Sequence, residues 1–264
     1  MKFREIFRFE FVYQARRVRT WLYFAVLFAV AFQLRGTAGG RDVQVISPYD
    51  VALETVLTVL LWVLMASAVA GSAAARDVQT RMHPLIYAAP IRKGEYLGGR
   101  FLAAFALNAL ILLAVPLGSL AALFLSGVNP DIIRSLGPAI YISSYGLLVF
   151  PTAFAFTAVQ FSVAVLNRRA ILSYLGSVLF LVTASIGAVL FNVLHMQTLG
   201  QLLDPTCRFN VAVVMADTLT PLEKNTVLIG LDGSILANRL LWVCLASAIL
   251  AFTHARFRHS NGAG

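Results

Sequence analysis

Lysine, cysteine and histidine are scarce in this sequence, and each scarcity removes a class of chemistry. The only lysines are Lys2, Lys93 and Lys224. None of them follows a glycine-rich turn with Ser or Thr next, so the loop in which backbone amides, lysine and hydroxyl hold nucleotide phosphates and magnesium is missing. The sequence therefore predicts that the chain binds no nucleotide cofactor of its own, and that ATP and Mg would have to act through a partner subunit. His83, His195, His254 and His259 never take the paired spacing of a zinc protease, and no Cys/His cluster has metal-ligand spacing. The two cysteines, Cys207 and Cys244, form no disulfide framework, one reading as a loop residue and the other as part of a hydrophobic run. No nucleophile, base and orienting acid can be picked out, and the chain reads as no enzyme. Asp204, Asp217, Glu223 and Asp232 read as solvated loop charges.

What is abundant is hydrocarbon. Of 264 residues 59% are hydrophobic and only 12% charged, with a mean hydropathy of +0.80. That composition indicates an all-α integral membrane protein. A bilayer core about 30 Å thick needs roughly 20 mostly apolar residues per helix. Candidate spans lie at about 20–37, 55–75, 101–126, 138–166, 170–194 and 236–255, which predicts six transmembrane helices with both termini cytoplasmic. On this topology 15 of the 21 lysines and arginines fall on the cytoplasmic side, as the positive-inside rule requires. The net charge of +9 then reflects membrane orientation and attraction to anionic headgroups; there is no soluble basic surface for nucleic acid. The basic stretch before Trp21–Leu34 is longer than a signal peptide's, and five more hydrophobic runs follow, so that run reads as a retained membrane helix.

Residues 1–19 place Phe3, Ile6, Phe7, Phe11 and Val18 on one helical face and Arg4, Glu5, Arg8, Arg16 and Arg19 on the other, the pattern of an interfacial helix. Arg19 and Arg35 can lengthen the short first span by reaching for the two interfaces. Residues 36–50 read as an external loop. The second span ends in Ala66–Ala75, almost all small residues, which allow close backbone approach.

Between the second and third spans lies a polar, basic island, Gly71 to Phe101, with Arg76, Arg81, Arg92, Lys93 and Arg100 against Asp77 and Glu95. Val78, Met82, Leu85 and Ile86 recur at helical spacing until Pro90 stops the helix. This is either a short docking helix across the cytoplasmic mouth or an ordinary solvated loop that orients the chain. Within the spans, Asn108, Ser144, Tyr145, Thr152 and Gln160 are polar groups that must be satisfied by neighbouring helices or water. They read either as a translocation-pathway wall or as interhelical hydrogen bonds. No acid falls inside the six spans except near a mouth, which weakens a proton-driven carrier.

The island carries a family resemblance. A membrane helix ending in small residues, then Arg76-Asp77, a short amphipathic helix, Ala89-Pro-Ile-Arg-Lys-Gly-Glu-Tyr96 and Gly98-Gly-Arg100 resembles the first cytoplasmic loop of type-2 ABC exporter permeases. Where many members have Glu-Arg, this chain has Arg76-Asp77. The family opens with an amphipathic elbow, as residues 1–19 do. Leu202-Leu-Asp-Pro205, Thr220-Pro-Leu-Glu-Lys-Asn-Thr226 and Asn238-Arg-Leu-Leu-Trp242 resemble the end of the first membrane half of long bacterial permeases, some of which carry a second membrane half and an extracytoplasmic zinc aminopeptidase. The resemblance implies a permease of the bacterial inner membrane, driven by a separate ATP-binding cassette subunit and paired with a second permease, identical or not. The ATPase contacts it implies are Arg76, Asp77, Arg81, Met82, Leu85, Arg92, Lys93 and Glu95, with Arg168 and Arg169 at a second basic turn. The competing reading is a non-transporting scaffold, or a truncated permease half, that binds a partner.

Overall fold

The computed structural model describes residues 2–35, 47–80, 91–125, 138–230 and 233–257. Among them every regular element is helical. They are α1 (Lys2–Ala15), α2 (Val18–Leu34), α3 (Pro48–Gln79), α4 (Lys93–Leu112), α5 (Ala114–Leu125), α6 (Ala139–Ser143), a π-helical turn Ser144–Val149 and α7 (Phe150–Asn167). There follow α8 (Ile171–Val193), α9 (Gln197–Leu203), a second π-helical turn Asn210–Met215 running into α10 (Ala216–Thr218), α11 (Pro221–Thr226) and α12 (Gly233–Arg256). Five spans are long and apolar enough to cross a membrane: α3, α4–α5, α6–α7, α8 and α12. The α1–α2 pair, bent by 66°, makes a sixth if counted as one span.

α1 bends into α2 at Arg16–Arg17, and this bend is an elbow between the two helices. The hydroxyl of Thr20 donates to the Gln14 carbonyl at 2.7 Å and the Trp21 indole to Ala15 O at 2.9 Å, so the last carbonyls of α1 are satisfied by the first turn of α2.

α3 is the hub. It packs against α2, α4, α7 and α8 and buries Val59, Trp62, Val63, Ala66, Val69, Ala70 and Ala73 in the main core. The small-residue stretch does what its composition predicts: a Cβ on Gly71 would lie 3.1 Å from the Ala170 carbonyl, where α3 meets the start of α8. The closest approach joins α2 to α5, where a Cβ on Gly118 would stand 2.4 Å from the Phe28 carbonyl oxygen; only glycine fits there.

Two prolines set the breaks. Pro116 supplies no N–H to Leu112, and the helix is interrupted there, with the Leu113 amide turning to Leu110 O at 3.1 Å. Pro151 likewise leaves carbonyls free one turn back, and the chain widens into the π turn 144–149. The buried Leu148 oxygen takes the Thr152 hydroxyl at 2.6 Å and Arg239 Nη1 at 3.3 Å.

Three expectations are corrected by these bounds. α3 begins at Pro48, so Asp50 and Glu54 belong to the helix and not to a loop mouth, with Ser47 accepting the Asp50 amide as N-cap at 3.0 Å. Arg35 does not reach for an interface: it is buried and pairs with Asp50 at 3.4 Å and Glu54 at 3.0 Å, while Ser119 also donates to Glu54. The third span starts at Lys93, so the polar island loses both its flanks to helices.

Candidate functional site

At the end of the bundle where α1 bends into α2, the last turns of α3 and the first turns of α4 share a buried ionic cluster with the elbow. Glu10 is 1% exposed on the inner side of α1. Its carboxylate accepts Gln14 Nε2 at 2.8 Å and Arg76 Nη1 at 3.1 Å, and faces Arg76 Nη2 at 2.8 Å and Arg100 Nη2 at 3.6 Å. Arg100 also donates to Asp77 Oδ1 at 2.5 Å, to the Ala73 carbonyl at 3.0 Å and to the Tyr96 hydroxyl at 3.1 Å. Tyr96 in turn donates to Asp77 Oδ2 at 2.8 Å. Two carboxylates thus meet two guanidiniums, a balanced set that low-dielectric surroundings tolerate only when each charge is paired.

Local sequence explains the convergence. Tyr96 and Arg100 are four apart on α4 and share a face, as do Ser72 and Arg76 on α3 and Glu10 and Gln14 on α1. Gly98 and Gly99 let α1 come close, since a Cβ on Gly99 would be 3.0 Å from Ile6. A polar chain extends the cluster into α2: Arg19 donates to Ser72 Oγ at 2.9 Å, and Ser72 to Gln14 Oε1 at 3.1 Å. Arg76 lies over the rings of Tyr13 and Phe9, with 4.3 Å to the Tyr13 centroid. Beside the cluster an open cavity of about 650 Å³ is bordered by Glu5, Phe9, Tyr13, Thr80 and Ile91.

The anticipated docking residues divide into four groups. Arg76 and Asp77, expected on a cytoplasmic surface, belong to α3 and point into this cluster; Asp77 is 4% exposed. Both are engaged in intramolecular ion pairs at the end of α3. Arg81, Met82 and Leu85 lie outside the described residues. Arg92, Lys93 and Glu95 form the start of α4: Glu95 accepts the Arg92 amide at 3.1 Å as an N-terminal cap. Arg92 is exposed, whereas Lys93 donates to the Ala255 carbonyl at 3.3 Å and sits over the Phe257 ring. Phe257 also stacks on Tyr96, so the last turn of α12 closes this end. Arg168, in a left-handed conformation at φ 55°, and Arg169 are both exposed at the α7–α8 turn, next to Gly71 and hence at the same end.

The anticipated pathway residues are not gathered into one cavity. Asn108 Nδ2 donates to Thr157 Oγ1 at 2.9 Å, tying α4 to α7. Tyr145 donates to the Ala109 carbonyl. Gln160 reaches Val63 O at 3.0 Å and Ser177 Oγ at 2.8 Å, tying α7 to α3 and α8. Thr152 bonds Pro205 O at 3.2 Å, and Ser144 is buried in the π turn.

At the opposite end, residues that look scattered in sequence come together. Asn238 Nδ2 donates to the carbonyls of Gln201 at 2.6 Å, Leu202 at 3.1 Å and Asp204 at 2.9 Å, and the Trp242 indole to Leu202 O at 3.1 Å. Arg239, counted among the cations of the external side, is 5% exposed and donates to Thr152 Oγ1 at 2.8 Å. Asp204 is no solvated loop charge: it accepts the amides of Thr206 and Phe209 at 2.9 and 2.7 Å. Cys207, expected in an open loop, is fully buried, and burial pushes its thiol pKa up. Glu223 is a solvent-facing cap whose carboxyl pKa is lowered by hydrogen bonds from the Thr220 amide and hydroxyl.

Sequence reasoning missed Glu10, Tyr96 and Arg100 as one unit, and Asn238 with Arg239 as another. For the first unit the available signal was the i, i+4 pairing of polar residues on otherwise apolar helix faces, as in Glu10 with Gln14 and Tyr96 with Arg100.

These helices and buried polar ties define a multi-pass, all-α membrane protein. No protein-family model matches the chain, and no curated protein matches it.

Proposed function

We propose that this chain is the permease subunit of an ATP-binding cassette exporter, with both termini and the segment between α3 and α4 on the cytoplasmic side of a bacterial inner membrane. The observation that carries the reading is the buried cluster at the base of that segment. Glu10, Arg76, Asp77, Tyr96 and Arg100 join the elbow, α3 and α4 into one body. A force applied through residues 80–92 would thus tilt α1, α3 and α4 together. Exposed Arg92, Arg168 and Arg169 at the same end offer contacts for an acidic edge of an ATPase subunit. A nucleotide-driven partner shifts such a body only by binding its two orientations with different affinity. A second permease would complete the pathway, and substrate binding would fall between the two.

The test is gentle detergent extraction of the tagged chain from its native membrane, followed by mass spectrometry of co-purifying proteins. Recovery of an ATP-binding cassette protein with wild type but not with Arg81→Glu/Arg92→Glu supports the proposal. Recovery of the chain alone, correctly folded, refutes it in favour of a non-transporting scaffold.

A further inference from the structure

α8 and α12 both lean on α7 but make no substantial contact with each other. Between them lies a cleft of about 140 Å³ whose floor and walls include Phe156, Val159, Leu172, Gly176, Phe180 and Trp242. The two walls are the spans least buried by protein, with 6% and 22% of their apolar windows covered, so the cleft opens sideways into hydrocarbon. Its polar groups are few and mostly engaged: Ser173 Oγ donates to Gln160 O at 2.6 Å, Ser177 Oγ to Ser173 O at 2.8 Å and Gln160 Nε2 to Val63 O and Ser177 Oγ, while Gln160 Oε1 is buried without a hydrogen-bond partner among the described residues. What the cleft presents is hydrocarbon, which excludes a hydrophilic occupant. From Leu172 to Phe180 it follows α8 for about 12 Å, taking roughly 1.5 Å per residue.

One end of the cleft is basic. Leu172 stands a single turn beyond Arg168 and Arg169, which are exposed and, among the described residues, in no ion pair. An apolar slot ending at two guanidiniums at the helix terminus matches the build of an anionic phospholipid, whose phosphate lies at the interface and whose acyl chain runs inward. We propose that this cleft is a binding site for an anionic phospholipid, its headgroup on Arg168 and Arg169 and one acyl chain between α8 and α12 over Phe156 and Phe180. The site does not depend on the transport reading above, in which an ATPase subunit would compete with the headgroup for the same two arginines.

Trp242 reports on the slot directly, since its ring lines the cleft and its indole is fixed to Leu202 O. Trp62 is buried in the core, and Trp21, exposed on α2, is removed by Trp21→Phe. The protein is placed in phosphatidylcholine nanodiscs containing a minor fraction of phosphatidylglycerol or phosphatidylcholine brominated on the acyl chains. Each arginine adds roughly fivefold to the attraction for an anionic headgroup, so brominated phosphatidylglycerol should occupy the slot roughly 25-fold better than its neutral counterpart and quench Trp242 at correspondingly lower mole fraction. Arg168→Asn, which tolerates the left-handed backbone, combined with Arg169→Gln should abolish the difference between the two lipids. Gly176→Leu should suppress quenching by both, because a Cβ there meets nothing within 4 Å and the new side chain fills the slot. Equal quenching by the two lipids in the wild type overturns the proposal, as does selectivity that survives the double arginine variant. Absence of quenching by either lipid also overturns it, since protein, for instance a second copy of this chain, would then fill the cleft.

Discussion

Replacing Glu10 with Gln keeps its shape and its bond with Gln14 but removes the charge that faces both Arg76 and Arg100. Breaking a buried ion pair typically costs about 3–5 kcal/mol because the remaining charge is left uncompensated. Here the cost is reduced: Arg100 keeps Asp77 at 2.5 Å, and the Arg76 side chain is 13% exposed. We therefore expect a loss of about 2–3 kcal/mol, localised to the docking of α1. With each 1.4 kcal/mol equal to a factor of ten, amides of α1 should lose roughly 30- to 100-fold of their hydrogen-exchange protection. The central turns of α3 should keep theirs. In the double variant Glu10→Gln/Arg76→Gln the losses should be less than additive, because the second change removes the stranded charge. The assay is hydrogen exchange of the protein in lipid nanodiscs, read by mass spectrometry. Exchange in α1 of Glu10→Gln indistinguishable from wild type would show that the cluster does not hold the elbow.

Further outcomes follow from the same geometry. Arg35→Gln leaves Asp50 and Glu54 without that cation and should lower the detergent melting temperature sharply, by an amount consistent with about 3–5 kcal/mol; an unchanged melting curve would contradict the pairing. Asn238→Leu removes three hydrogen bonds to the Gln201–Asp204 strand of carbonyls and should make that segment susceptible to protease while the spans remain intact. Because burial raises the Cys207 thiol pKa, the folded protein holds that proton as pH climbs through the ordinary thiol range, so iodoacetamide at mildly alkaline pH should modify Cys207 only after denaturation. Glu223 is the opposite case: its lowered pKa means that cap stabilisation is present above the ordinary carboxylate range and lost as pH falls through the folded value. Thr220→Val should return the Glu223 pKa toward normal in a carboxyl NMR titration.

The spans were legible because runs of some 20 apolar residues admit few other structures, and the elbow because Phe3, Ile6 and Phe7 alternate with charges at helical spacing. The breaks at Pro116 and Pro151 were not anticipated, since both prolines fall inside runs that read as continuous spans. What escaped was the set of charges inside helices. Glu54, Asp50 and Arg35 look like the rim of a loop when each is weighed alone against hydrocarbon, and only their mutual pairing makes burial tolerable. The same holds at the other end, where Arg76-Asp77 resembles a surface pair in the linear chain, and Glu10, 66 positions earlier, turns it inward. Such partners are far apart in sequence, and a hydropathy profile scores each as a penalty. Asn238 and Arg239 were noticed as a motif, but Asn238 binds backbone carbonyls, which carry no side-chain signature, and Arg239 binds the Thr152 hydroxyl 87 positions away.

The central claim, that an ATPase seats on the segment between α3 and α4, is tested most directly by a photo-crosslinking amino acid placed at Leu85 or Met82 and irradiated in native membranes. The account predicts an adduct with an ATP-binding cassette protein, lost when Arg81→Glu/Arg92→Glu is added. Adducts with lipid alone at both positions, in a chain whose elbow and spans are intact, would contradict it.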